Sequence, residues 1–92
     1  MSTLTDNTTL TTTIRSPEKT LFDGKAVAVS SISDNGPFDV LAYHSNFICI
    51  IKKEITVYET RDKKITFPFE KGILKIYENK ADVFLGIETI TA

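Results

Sequence analysis

This chain has little of what chemistry usually needs. It holds one cysteine, Cys49, and one histidine, His44, in 92 residues. A single cysteine excludes an internal disulfide. A single histidine leaves a zinc site dependent on scattered carboxylates with no ligand spacing, so no metal is expected. The glycines, Gly24, Gly36, Gly72 and Gly86, stand apart from one another, which excludes a phosphate-cradling loop. Serines are present, but none sits in a nucleophile elbow. Charge of one sign is not in excess: 11 Lys and Arg face 12 Asp and Glu, for a net charge of −1. A nucleic-acid binder would carry a basic surplus. The basic pairs Lys52, Lys53 and Lys63, Lys64 each adjoin an acid, Glu54 and Asp62, and read as solvated turn charges that break the chain there. There is neither a signal peptide nor an apolar run of membrane length, so a cytoplasmic location is the default and direct membrane insertion is not expected. Catalytic residues and cofactors are expected to be absent, and a binding or structural module is favoured over an enzyme.

Amphipathic helical stripes of ten residues or more are also missing; short alternating segments fill the chain. Residues 1–8 are polar and Thr-rich and read as a disordered leader, with one domain over 9–92. From there Leu10, Thr12 and Ile14 alternate against Thr11, Thr13 and Arg15. Turns are expected at Ser16–Lys19, at Asp23–Gly24, over Ser33–Pro37, at Arg61–Lys63, at Lys71–Gly72 and at Glu78–Lys80. Phe47–Ile51 is uniformly apolar and reads as a strand buried on both faces, with Cys49 as a small buried hydrophobe. Pro68 cannot donate to a ladder, which predicts an edge strand or a bulge. Ala81–Glu88 closes the pattern with Val83, Leu85 and Ile87 on one face. The sum is an all-β fold, a single small β-sandwich of about 8–10 short strands. Most phenylalanines fall on core positions. Tyr43, Tyr58 and Tyr77 are expected nearer the surface, and the Tyr43–His44 loop is a candidate partner contact.

The order of these segments is similar to that of a known family. A strand ends in Ile14–Lys19 with Pro17–Glu18. Leu21–Ala26 follows, then Val27–Val29, a turn at Gly36, the strand Phe38–Leu41, and His44. Later come Gly72–Ile76 and Ala81–Leu85. This arrangement resembles the epsilon subunit of bacterial and chloroplast rotary ATP synthases, called delta in mitochondria. The resemblance implies a central-stalk β-sandwich that docks the gamma subunit onto the c-ring and couples proton flow to ATP synthesis without making bonds itself. It implies a peripheral position on the cytoplasmic face of the membrane, and partner-binding roles for Gly36, Phe38, Val40 and His44, to which the loop reading adds Tyr43. The chain departs from the family pattern at several points. Pro37 stands for an acidic residue, Asp39 for a glycine, Tyr43 and Asn46 for the glycine and proline that flank the family's histidine–alanine pair, and Lys71 for the first glycine of a later pair. The family's carboxy-terminal helical hairpin, with its inhibitory role, is not expected in this sequence. The alternative reading is a stand-alone protein-binding sandwich diverged from the epsilon subunit.

Overall fold

The computed structural model describes residues 8–86. The proposed leader therefore lies outside the described residues, apart from Thr8, as do Ile87 and Glu88. The strands are β1 (Leu10–Arg15), β2 (Thr20–Ala26), β3 (Ala28–Ser33), β4 (Gly36–Leu41), β5 (Phe47–Tyr58), β6 (Lys64–Tyr77) and β7 (Lys80–Leu85). They form one mixed sheet in the order β2-β1-β7-β6-β5-β3-β4, which folds into a small β-sandwich. Every pairing is antiparallel except that of β1 with β7, which are far apart in sequence.

The sandwich depends on β5 and β6, which serve both layers. The first half of β5 pairs with the second half of β6, and β7, β1 and β2 extend that layer. The second half of β5 pairs with the first half of β6 and with β3, and β4 completes the other layer. Between the halves lies a β-bulge. Lys52 faces Lys71 and Lys53 faces Phe69, so Glu70 has no partner across the ladder. Lys53 takes a left-handed conformation there, at φ +76°. A bulge sharpens bend and twist, which is what lets one ribbon turn around a core. It also switches parity on β6. Ile65, Phe67 and Phe69 face the core before it; Gly72, Leu74 and Ile76 do so after it. At the bulge, the buried Ser31 hydroxyl donates to the Glu54 carbonyl at 2.7 Å and ties β3 to the bend.

One buried cluster joins the layers: Leu10, Ile14, Ala26, Val29, Val40, Ile51, Ile55, Val57, Leu74, Ile76, Ala81, Val83 and Leu85. Leu21, Phe22, Phe38, Phe47, Cys49, Phe67 and Phe69 pack half-buried against it. Phe84 does not join them; it lies exposed on the outer face of β7.

The strand count is lower than the turn signals suggest, because two expected breaks are strand interior. Lys52–Lys53 and Lys71–Gly72 lie inside β5 and β6, where polar residues mark the bulge and not a reversal. Asp23–Gly24 is also no turn: the two residues pair with Thr13 and Thr12 inside β2, and the chain reverses at Val27. The other expected turns stand. Ser16 is bonded to Lys19 by both backbone and side chain. Glu78 and Asn79 at φ +50° and +61° make the tight left-handed turn between β6 and β7. Pro68 meets its condition, since residues 64–70 of β6 pair only with β5 and leave one edge free.

The largest correction concerns Phe47–Ile51. The strand is covered on one face only. Ile48 and Ile50 are 65% and 57% exposed, whereas Ile51 is fully buried. An apolar run is thus half core and half surface, because among the described residues nothing stacks on the outer side of its layer.

Gly72 has a steric reason to be glycine. A Cβ there would lie 2.7 Å from the Phe84 carbonyl oxygen and 2.9 Å from Leu85 Cδ2. A Cβ on Gly24 would meet only the Phe22 ring, at 3.4 Å. Gly72→Ala should therefore cost about 1–3 kcal/mol in urea unfolding, through forced backbone displacement, and Gly24→Ala clearly less. Equal losses at the two sites would contradict the close approach of β6 to β7.

Candidate partner-docking site

The turns gather at two ends of the sandwich. At one end lie the turn at Val27, the loop 42–46, the β5–β6 turn and the Glu78–Asn79 turn, since Ala28 pairs with both Leu41 and Tyr58 and Tyr77 pairs with Lys80. At the other lie Ser16–Lys19, Asp34–Asn35, the bulge and Gly86. The Lys52–Asp34 ion pair at 3.2 Å and the bond from the Gly86 amide to the Lys71 carbonyl at 3.0 Å tie this end together.

The residues implicated by the resemblance divide between these places. Gly36 opens β4 at the Asp34–Asn35 turn, with φ +112° that suits glycine. Tyr43 and His44 follow β4 at the opposite end, roughly 17 Å away along the strand. Phe38 is half-buried midway. Val40 is fully buried and belongs to the core, so its side chain is not available to a partner in this fold. Its alternation with Asp39 and Leu41 points it inward, a consequence of strand parity that β4 shares with its neighbours.

The loop 42–46 is cross-braced to the Glu78–Asn79 turn. The Tyr43 amide donates to Asn79 Oδ1 at 2.7 Å, and Asn79 Nδ2 donates to the Thr9 carbonyl at 3.0 Å. The Glu78 amide donates to Asn46 Oδ1 at 3.0 Å, and Asn46 Nδ2 reaches Glu78 Oε2 at 3.4 Å. The His44 ring stands edge-on to Phe47, with centroids 5.1 Å apart, and Phe47 stands edge-on to Phe38 at 6.4 Å. His44 is thus the exposed end of an aromatic chain rooted in the core. Its Nδ1 lies 2.8 Å from the Ser45 carbonyl, so that nitrogen carries the proton in this bond. Asp39, on the outer face of β4, accepts a hydrogen bond from Ser30 across the β3–β4 pair.

A surface that was not anticipated lies on the outer face of the first layer. Ile50 pairs with Ile73, Ile73 with Phe84, and Phe84 with Arg15, so their outward side chains form one row across β5, β6, β7 and β1. The Arg15 guanidinium sits 5.8 Å above the Phe84 ring. In the next row Ile48 pairs with Lys75, whose ammonium lies 5.5 Å from the Tyr77 ring. The signal was present in the sequence: Ile48 and Ile50 alternate with core residues in a strand that had no second layer to hide them.

Cys49 is on the inner side of β5, half-buried, and desolvation pushes its thiol above the usual range. That environment keeps it protonated at neutral pH and unsuited to nucleophilic work. Among the described residues no cluster of His, Cys, Asp and Glu could hold a metal ion, and no helix is long and apolar enough to cross a membrane.

This geometry defines a class: a β-sandwich that carries an apolar outer strip and a braced aromatic loop as its distinctive surfaces. The family follows from the sequence. The profile of the ATP synthase, Delta/Epsilon chain, beta-sandwich domain matches residues 9–86, and the chain belongs to that family. No curated protein matches it significantly. Among solved structures it is similar to a chain of the Euglena gracilis mitochondrial ATP synthase OSCP/F1/c-ring assembly, with 15% identity and TM-score 0.78, over 85% of this chain and 51% of that one. It is also similar to a chain of the Tetrahymena thermophila mitochondrial ATP synthase central stalk and c-ring, with 10% identity and TM-score 0.68, over 82% of this chain and 61% of that one. The chain therefore spans about half to three-fifths of the length of these structures.

The Cys49 environment can be checked directly. Labelling of the native chain by a thiol reagent at pH 7.5 should be much slower than labelling of the urea-unfolded chain. The native rate should still be rising above pH 9, the unperturbed value. Native labelling as fast as unfolded would contradict the burial.

Proposed function

We propose that this chain is a central-stalk subunit of a rotary ATP synthase, a non-catalytic coupler between the gamma subunit and the c-ring. The observation that carries this reading, beside family membership, is the apolar strip of exposed Ile48, Ile50 and Phe84, with half-buried Ile73 between Ile50 and Phe84. Contiguous apolar surface of this kind is kept where a partner covers it. The subunit acts mechanically. Long strands shared by both layers make the sandwich one stiff body, so torque received on one surface is delivered at another without internal slippage. Bond-making at this chain is not part of the role.

Two contacts follow from the division of the surfaces. The gamma subunit takes the apolar strip together with the Tyr43–His44 end, because desolvating apolar side chains supports a permanent contact. The c-ring takes the Gly36 end, whose turn residues Ser33, Asp34 and Asn35 are polar. Through this assembly the chain is held at the cytoplasmic face of the membrane while itself remaining outside the bilayer.

Affinity purification of the tagged chain from native membranes tests the role. Gamma and c subunits should co-purify; a chain recovered without them would favour a stand-alone binding module. Ile48→Glu and Ile50→Glu, each placing a charge on the outer face, should reduce gamma recovery by about tenfold or more, as for a central interface residue. Their circular dichroism spectra should stay unchanged. Full gamma recovery with both variants would exclude the strip as the contact.

A further inference from the structure

We propose that Tyr43 is a preorganised anchor for the gamma subunit, held in a left-handed conformation by Asn79 and Asn46 at the expense of this domain's own stability. The inference rests on the stalk reading above and adds the residue that grips the partner.

Tyr43 has φ +64°. A Cβ-bearing residue is strained in that region, and a large aromatic gains nothing locally from being there. Nor does its side chain find compensation within the described residues. Tyr43 is 74% exposed, the most open of the large apolar side chains. What is held is its backbone: the Tyr43 amide is bonded to Asn79 Oδ1 at 2.7 Å. Asn79 is in turn fixed by its bond to the Thr9 carbonyl at 3.0 Å and by its place in a tight turn at φ +61°. Asn46 closes the other side of the loop on the Glu78 amide. Strain in an exposed, over-determined loop points to a use outside the chain.

The family pattern makes the point sharper. It has a glycine where Tyr43 stands, and glycine adopts this backbone freely. This chain places a ring on a left-handed backbone at that position. The His44–Phe47–Phe38 stack lies directly behind and roots the loop in the core. A rigid aromatic with few rotatable bonds loses little entropy on docking, which is the usual character of an interface anchor. The complementary feature on gamma is a socket with apolar walls for the ring and a polar group for the phenol hydroxyl. Asn79 and Asn46 are positioning residues that act through the loop.

The experiment measures thermal unfolding and binding to purified gamma subunit, by calorimetry, for the full chain and five variants, Ile48→Glu among them. Tyr43→Gly should raise the unfolding midpoint by about 2–5 °C by removing the strain and yet weaken binding about tenfold or more. Tyr43→Ala should weaken binding similarly with little change in midpoint, since alanine keeps the strain. Asn79→Asp retains the oxygen that accepts the Tyr43 amide but loses the Nδ2 donor to the Thr9 carbonyl, and should bind more weakly than the natural chain yet more tightly than Asn79→Gly. Asn79→Gly, which loses both, should bind several-fold more weakly. A Tyr43→Gly variant that binds gamma as tightly as the natural chain, or that unfolds at a lower temperature, overturns the proposal. Failure of the natural chain to bind gamma at all overturns the stalk reading and the anchor with it. Loss of binding in Ile48→Glu but not in Tyr43→Gly overturns the anchor alone.

Discussion

The bulge opposite Lys52 and Lys53 is the constraint on which the rest of the structure depends. One unpaired residue, Glu70, lets the β5–β6 ribbon bend while its core-facing side chains stay on the same physical face. Without that extra residue the two halves of β6 could not both be amphipathic toward one core: Phe67 and Phe69 follow one parity, Leu74 and Ile76 the other. The bend brings Ile51 and Ile55 into a single buried cluster with residues of every other strand. It also sets what lies at each end, because it places the Asp34 turn beside Lys52 and leaves Phe47 beside His44.

A folded ribbon of this kind has two outer faces, and they differ. The outer face of the second layer carries Ser30, Asp39, Thr56 and Thr66, with Ser30–Asp39 and Thr56–Thr66 bonded across strands. That of the first layer carries Ile48, Ile50, Ile73 and Phe84. The polar groups of the second layer's face satisfy their own hydrogen bonds beside the exposed Leu41; the apolar row of the first gains from being covered. Asymmetry of this kind gives a rigid body a defined side for a permanent partner. The departures from the family pattern fit the same frame. Asp39 and Asn46 are each absorbed by a local hydrogen bond, and Lys71 sits at the bulge. Pro37 lies exposed near the start of β4, and Tyr43 projects outward from the loop.

Much of the architecture was legible from residue order, and the misreadings have physical causes. Strand parity identified Leu10, Ile14, Val57, Val83 and Leu85 as one-sided, and they are core. Pro68 announced its free edge, since the missing donor excludes a central position on both sides. The breaks assigned at Lys52–Lys53 and Lys71–Gly72 failed because polar residues at a bulge look like polar residues at a turn. The Asp23–Gly24 pair has turn composition, yet both residues lie in register inside β2, opposite Thr13 and Thr12. The resemblance makes Val40 a contact through an aliphatic position of the family pattern, whereas packing puts that position in the core.

Taken by itself, the sequence determined the all-β class, the alternation of most strands, the tight turn at Glu78–Asn79 and membership of the family, because these rest on local periodicity, backbone preference and residue order. It did not determine which side of an apolar strand is covered. Phe47–Ile51 reads the same whether one layer or two enclose it, and only the packing of the layers decided that Ile51 is core and Ile48 is surface. Nor could residue order show that Tyr43 is bound to Asn79, thirty-six positions away. That contact exists because the parallel pairing of β1 with β7 and the bend of β5–β6 bring distant turns to one end, and the distance between them is a property of the whole fold.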